Sequence, residues 1–136
     1  MQQTETQQDE ADQFLLNNPE QFFTPTFQDT KWGVLEWFSD RRILTNTTLV
    51  AQAKKLGEEA GEVYGAIEEM NKGEIIKELG DCMVVITGLA EMIGISPEEC
   101  YASALDKIKD RKGLMRTDGQ WVKYEDLTKD EQKLIA

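Results

Sequence analysis

Five acidic side chains on two neighbouring segments carry the chemistry that this sequence offers. Glu58, Glu59 and Glu62 lie in Lys55-Leu56-Gly57-Glu58-Glu59-Ala60-Gly61-Glu62, and Glu78 and Asp81 lie in Glu78-Leu79-Gly80-Asp81. On a helix, Glu59 and Glu62 stand about 60° apart and Glu58 and Glu62 about 40° apart, while Glu78 and Asp81 are one turn apart. Carboxylates gathered in this way repel one another, and without a cation some take up protons or splay. Magnesium resolves the repulsion, with polyphosphate oxygens completing its coordination. Glu78 and Asp81 also flank the most apolar helix of the chain, where an unpaired acid is costly. The competing reading is a solvated helix face, because Glu is a good helix former.

The rest of the composition narrows the chemistry. The chain has no histidine, which excludes histidine general acid–base catalysis, Ser-His and Cys-His nucleophiles and most zinc sites. A metal must then be held by oxygen, which favours magnesium, manganese or calcium. An EF-hand loop is missing, so a calcium sensor is disfavoured. Cys82 and Cys100 form no CxxC pair and read as small buried hydrophobes. The net charge is 15 − 26 = −11, which repels long nucleic acid. The longest apolar stretch, Cys82 to Ala90, is too short to span a bilayer, and the N-terminus does not read as a signal peptide. No membrane partner and a cytoplasmic location are therefore expected.

The elements that must position the acids follow from periodicity and caps. Residues 1–26 read as a polar, flexible tail, with Phe14, Leu15 and Leu16 its first apolar cluster and Phe22, Phe23 and Phe27 grouped near Pro25. Residues 27–136 read as one domain. A first helix is expected from about Phe27 or Thr30 to Arg42, before a polar break at Thr45 to Thr48. A second is expected from about Thr47 to Met70, with Leu49, Ala53, Leu56, Ala60, Val63 and Ile67 on its apolar face. A third is expected from about Glu74 to Ile93, buried on nearly every side from Cys82 to Met92 and stopped by Gly94. Ser96-Pro97-Glu98-Glu99 reads as a capping box opening a fourth helix that runs to about Lys112 and is ended by Gly113. Beyond it come a turn at Thr117-Asp118-Gly119, a short extended piece around Trp121, and a final helix capped by Thr128 and Glu131. The sum is an all-α, four-helix-bundle-like fold with a mobile N-terminal tail and a short C-terminal extension. In an antiparallel hairpin turning at Asn71 to Gly73, Glu62 lies nine or ten residues before the turn and Glu78 about five after it, an imperfect match in height. One helix pair does not bury its apolar face alone, so at least a dimer is expected.

The pattern Glu-Glu-x-x-Glu followed by Glu-x-x-Asp resembles the motif of the MazG-like, all-α nucleoside triphosphate pyrophosphohydrolases, small single-domain type. Trp37 with Arg41 or Arg42, the run from Gln52 to Glu62, Lys107-x-x-x-Arg111-x-Gly113 and the stretch Gly119 to Leu127 are similar too, so the resemblance covers roughly residues 30–127. It implies a magnesium-dependent enzyme, with manganese a possible substitute, that hydrolyses (deoxy)nucleoside triphosphates to monophosphate and pyrophosphate. It also implies a homodimer or homotetramer. Glu59, Glu62, Glu78 and Asp81 would be metal ligands, and Glu58 a ligand or a base that orients water. Lys55, Lys107 and Arg111 are candidates to hold phosphate; Lys107 and Arg111, four apart, would share one helix face. Trp37 is a candidate to stack on the base, as are Trp32 and Trp121. A narrower sibling is also compatible: a dUTP or dCTP pyrophosphatase, or a phosphoribosyl-ATP or alarmone hydrolase. A non-catalytic helical assembly protein is the reading from a different class.

Overall fold

The computed structural model describes residues 9, 10, 12, 13, 17 and 25–135. Phe14, Leu15, Leu16, Phe22 and Phe23, with most of the tail, lie outside the described residues. The chain divides into two compact units, Met1–Thr47 and Thr48–Ala136.

In the first unit, α1 (Phe27–Asp40) starts where the Thr26 hydroxyl accepts from the Asp29 amide, and Asp29 complements the positive helix end. Phe38 is buried and meets the Trp37 ring edge-on at 5.2 Å. The helix stops earlier than the expected Arg42. Arg42 is left-handed (φ 52°), and its carbonyl accepts from the Asn46 side-chain amide at 2.7 Å and the Thr45 hydroxyl at 3.3 Å. The left-handed Arg42 interrupts the helical run, and Ile43–Asn46 forms a separate single turn, α2, with Arg42 as its N-cap.

The second unit is built on a helical hairpin, α3 (Leu49–Glu68) and α4 (Lys72–Met92). Thr48 caps α3 through the Ala51 amide, and Asn71 caps α4 through the Glu74 amide. Both helices end in the same way. The Asn71 amide reaches back to the Ala66 carbonyl and Met70 to Ile67; likewise Ile95 reaches Ala90 and Gly94 reaches Glu91. These are Schellman motifs, which need a left-handed residue at the turn. Gly94 (φ 78°) supplies it at the second; at the first it is Met70 (φ 53°), 85% exposed. A methionine gains no packing there and carries the left-handed penalty. Met70→Gly is expected to stabilise the protein by about 1 kcal/mol and Gly94→Ala to destabilise it by a similar amount, read from urea midpoints.

The short turn fixes the register of the hairpin. On α3 the side chains withdrawn from solvent are Gln52, Leu56, Glu59, Val63 and Ala66; on α4, where Thr87, Gly88 and Ala90 are also buried, a matching set is Ile75, Glu78, Cys82, Val85 and Leu89. Both sets step by four and three, the period of an antiparallel helix seam. Each member of one set lies as far from the Met70–Asn71 bond as its counterpart in the other. This rotates α3 relative to expectation: Ala53, Ala60 and Ile67 are exposed, while Glu59 occupies a seam position. The all-round burial expected of α4 is not reached among the described residues. Ile76, Leu79, Met83 and Ile86 at three-and-four spacing, and Ile93 seven residues further on, remain exposed as an apolar stripe.

The capping box Ser96–Glu99 forms as expected and opens α5 (Pro97–Ile108), which packs on α4. The helix ends at Ile108 rather than Lys112, because Gly113 belongs to a strand. β1 (Gly113–Met115) pairs antiparallel with β2 (Trp121–Lys123), placing Gly113 opposite Lys123. A Cβ on Gly113 would collide with the Trp121 ring and the Val122 carbonyl, so the glycine serves this close approach and not a helix stop. Asp118 and Gly119 (φ 87°) make the hairpin turn. A single 3₁₀ turn (Tyr124–Asp126) and α6 (Lys129–Gln132), capped by Thr128 and Glu131, follow.

Arg116 grips Glu131 with two 3.1 Å hydrogen bonds and ties the hairpin to α6. That grip, with the Thr128 amide, holds the Glu131 carboxyl down to about 2. A carboxyl lowered in the folded state stabilises above its unfolded value and loses that contribution as pH falls through the folded value. Arg116→Gln should therefore lower the melting temperature at pH 7, and the gap to the unmodified protein should close as pH falls from about 4.5 to about 2. No single helix among the described residues is long and apolar enough to cross a membrane.

Candidate metal centre

The register that the Met70 turn sets also aligns the acids. Glu62 and Glu78 each lie eight residues from Met70, and Glu59 and Asp81 each lie eleven. At about 1.5 Å of rise per residue, each pair stands at one height. The mismatch expected from sequence disappears because α4 begins at Lys72 rather than Glu74. One carboxylate oxygen from each of Glu59, Glu62, Glu78 and Asp81 lies within 4.8 Å of the other three. Glu58 is outside this group, exposed, with its carboxylate 3.7 Å from the Lys55 ammonium.

The quartet is unevenly solvated. Glu62 and Asp81 are exposed, Glu78 is half-buried, and Glu59 is only 6% exposed. The Oε1 atom of Glu59 meets Lys55 Nζ at 3.0 Å. Its Oε2 atom is buried and receives no hydrogen bond among the described residues. A buried carboxylate oxygen without a donor costs several kcal/mol unless something compensates it. Glu78 responds to its neighbours by holding its proton: its carboxyl is pushed up to about 7. A hydrogen bond with Glu62 comes first among the causes, then loss of solvent, then the charges of Glu62, Asp81 and Glu59. A cation entering the group competes with that proton. Four carboxylates, two of them, Glu59 and Glu78, with an orphaned buried Oε2, are a donor set that fits a hard divalent cation and leaves room for further oxygen ligands.

Cys82 follows Asp81 and was not singled out in the sequence as part of this site. It is half-buried, and its thiol is pushed up by burial and then by Glu59, Asp81, Glu78 and Glu62. It stays protonated and fills the seam beside the acids instead of acting as a nucleophile. The signal that could have found it was its place one residue after an acid of the motif.

Lys55 pairs with the acids, its own pKa raised by the hydrogen bond to Glu59 and then by that residue's charge. Lys107 is exposed in the last turn of α5, whereas Arg111 lies beyond the helix end, its amide on the Ile108 carbonyl at 3.0 Å. The two do not share a helix face as expected. Arg111 borders a cleft of about 400 Å³ with Asp110, Lys112, Tyr124, Glu125 and Ile135; none of the quartet lines it. Trp37 belongs to the first unit, with the Arg41 guanidinium 4.9 Å over its ring.

A family model described as the MazG nucleotide pyrophosphohydrolase domain matches residues 47–114, half of the chain. The matched span holds α3, α4 and the whole quartet; Trp37 and β2 lie outside it. Comparison with curated proteins and with solved structures gave no match. Two aligned helices carrying Glu-Glu-x-x-Glu and Glu-x-x-Asp thus sit inside the matched half, and the chain belongs to the MazG nucleotide pyrophosphohydrolase domain family.

Proposed function

We propose that the protein hydrolyses (deoxy)nucleoside triphosphates to monophosphate and pyrophosphate, with magnesium held by Glu59, Glu62, Glu78 and Asp81. The observation that carries this reading is the quartet itself, with its orphaned buried Glu59 oxygen, in the family-matched half of the chain. The cation, when bound, supplies neutralisation of the phosphate oxygens as charge builds on them. Water breaks the P–O link between the α- and β-phosphates, and pyrophosphate leaves. Glu58, exposed on α3 next to Glu59, is the candidate to orient that water. Lys107 and Arg111 have no ion-pair partner among the described residues and are the candidates to hold phosphate; Trp37 is the candidate to stack on the base. Manganese is expected to substitute for magnesium. The same site serves narrower substrates such as dUTP, dCTP, phosphoribosyl-ATP or an alarmone nucleotide.

We also propose that a second copy of the chain covers the stripe Ile76, Leu79, Met83, Ile86 and Ile93, giving a homodimer or homotetramer. Burying one such side chain is worth about 1.5–3 kcal/mol, and a stripe five residues long is the kind of surface that stable interfaces cover. The stripe also suits a helical assembly protein, the second reading.

The test is incubation with each common ribo- and deoxyribonucleoside triphosphate, with magnesium or with chelator, followed by chromatography. The expected products are monophosphate and pyrophosphate, lost on chelation, with the rates ranking the bases. Diphosphate and phosphate would show that the bond cleaved is misassigned. No turnover, together with no magnesium effect on melting, would favour the assembly protein.

A further inference from the structure

We propose that Lys55 is a positioning residue for the metal centre: its ammonium anchors one oxygen of Glu59 so that the other is presented to the cation. The proposal rests on reading the quartet as a metal site.

Lys55 Nζ lies 3.0 Å from Glu59 Oε1 and 3.7 Å from Glu58 Oε2. The two partners differ in kind. The Glu58 side chain is 67% exposed, where an ion pair contributes little, whereas that of Glu59 is 8% exposed. Buried in the α3 seam, Glu59 has one oxygen compensated by Lys55 and one uncompensated. A carboxylate fixed at one oxygen has lost the rotation that would exchange its two oxygens. Metal sites commonly use such outer partners to set the orientation of a ligand.

Helix stabilisation does not account for the pair. Lys55 precedes Glu59 by four residues, and this order is the weaker of the two in a helix, where an acid preceding a base is favoured. The half-exposed lysine is committed to carboxylates, while Lys107 and Arg111 remain without ion-pair partners among the described residues. Lys55 therefore acts on the cation's ligand rather than on phosphate.

The sign of the effect separates positioning from simple charge. Removing a positive charge beside a cation site reduces repulsion and strengthens cation binding. Removing an anchor lets Glu59 rotate away and weakens it. The experiment titrates Mn²⁺ without nucleotide into the unmodified protein, Lys55→Met and Lys55→Arg. Free Mn²⁺ is read by electron paramagnetic resonance, and helicity by circular dichroism. The expected result is binding by the unmodified protein, Mn²⁺ affinity lower by about tenfold in Lys55→Met at unchanged helicity, and affinity largely restored in Lys55→Arg. Unchanged or tighter Mn²⁺ binding in Lys55→Met overturns the proposal and leaves the metal centre standing; a rise in KM for nucleotide alone would then return Lys55 to phosphate. If Lys55→Met loses helicity, Lys55→Gln takes its place under the same criterion. Absence of Mn²⁺ binding by the unmodified protein overturns the metal centre and this proposal with it.

Discussion

Asp81→Asn is expected to reduce nucleotide hydrolysis by roughly 10³-fold while leaving the fold intact. Asp81 is exposed on α4, at the height of Glu59 and one turn from Glu78, and its carboxylate accepts no hydrogen bond among the described residues. Replacing its carboxylate with an amide removes one charge and one anionic oxygen from a group of four. If the bound cation is worth several kcal/mol in the transition state, losing the ability to hold it costs about three powers of ten. The stability effect has the opposite sign. In chelator, the variant should melt at the same temperature as the unmodified protein or higher, because one like-charge repulsion has gone. In magnesium, the unmodified protein should gain the stabilisation that ligand linkage gives, about 2.7 kcal/mol at a hundred times the dissociation constant, and the variant should not. Glu62→Gln should behave in the same way. Paired melting curves and initial rates check both signs, and full activity in either variant would remove that residue from the site.

The second large effect concerns assembly. The Met83→Glu, Ile86→Glu double variant is expected to sediment as a monomer, where the unmodified protein sediments as a dimer or larger. Both side chains lie in the exposed apolar stripe of α4, on a face distinct from the seam that packs on α3. In a monomer, the glutamates would face water and cost little. In an assembly they would be two unpaired charges per copy within a dry contact, which costs several kcal/mol. Interfaces that hold dimers together bury about 800 Å² on each partner, and a stripe with the neighbouring α3 residues Tyr64 and Ile67, also exposed, supplies apolar surface for that purpose. Equal sedimentation of the two proteins would place the contact elsewhere, and a monomeric unmodified protein would remove it.

The parts of the fold that the sequence made legible are those written in local chemistry. Ser96 with Glu99, and Thr128 with Glu131, specify helix starts by reciprocal hydrogen bonds within four residues, and both formed. Gly94 ends α4 because a left-handed residue is needed there. The acidic motif was legible because its spacing is helical on both segments. What was not legible depends on partners far along the chain. Gly113 looked like a helix stop, yet the Trp121 ring that demands a glycine is eight residues away. Met70 gives no sequence sign of a left-handed turn, so the hairpin register, and with it the matched heights of the acids, could not be read beforehand. The α3 face was misjudged for a related reason. Periodicity ranks positions by hydrophobicity, and a buried Glu59 counts against the face that is in fact the seam. A functional acid thus misled the pattern that was used to place it.

The central claim is that Glu59, Glu62, Glu78 and Asp81 hold one divalent centre. It is tested most directly by calorimetric titration of Mn²⁺ into the nucleotide-free protein and its Asp81→Asn variant, at pH 6 and pH 8. The account predicts saturable binding by the unmodified protein, tighter at pH 8 because Glu78, with its carboxyl near 7, no longer holds a competing proton. It predicts that the variant loses most of that binding. Equal binding by the two proteins, or none by the unmodified one at either pH, would contradict it.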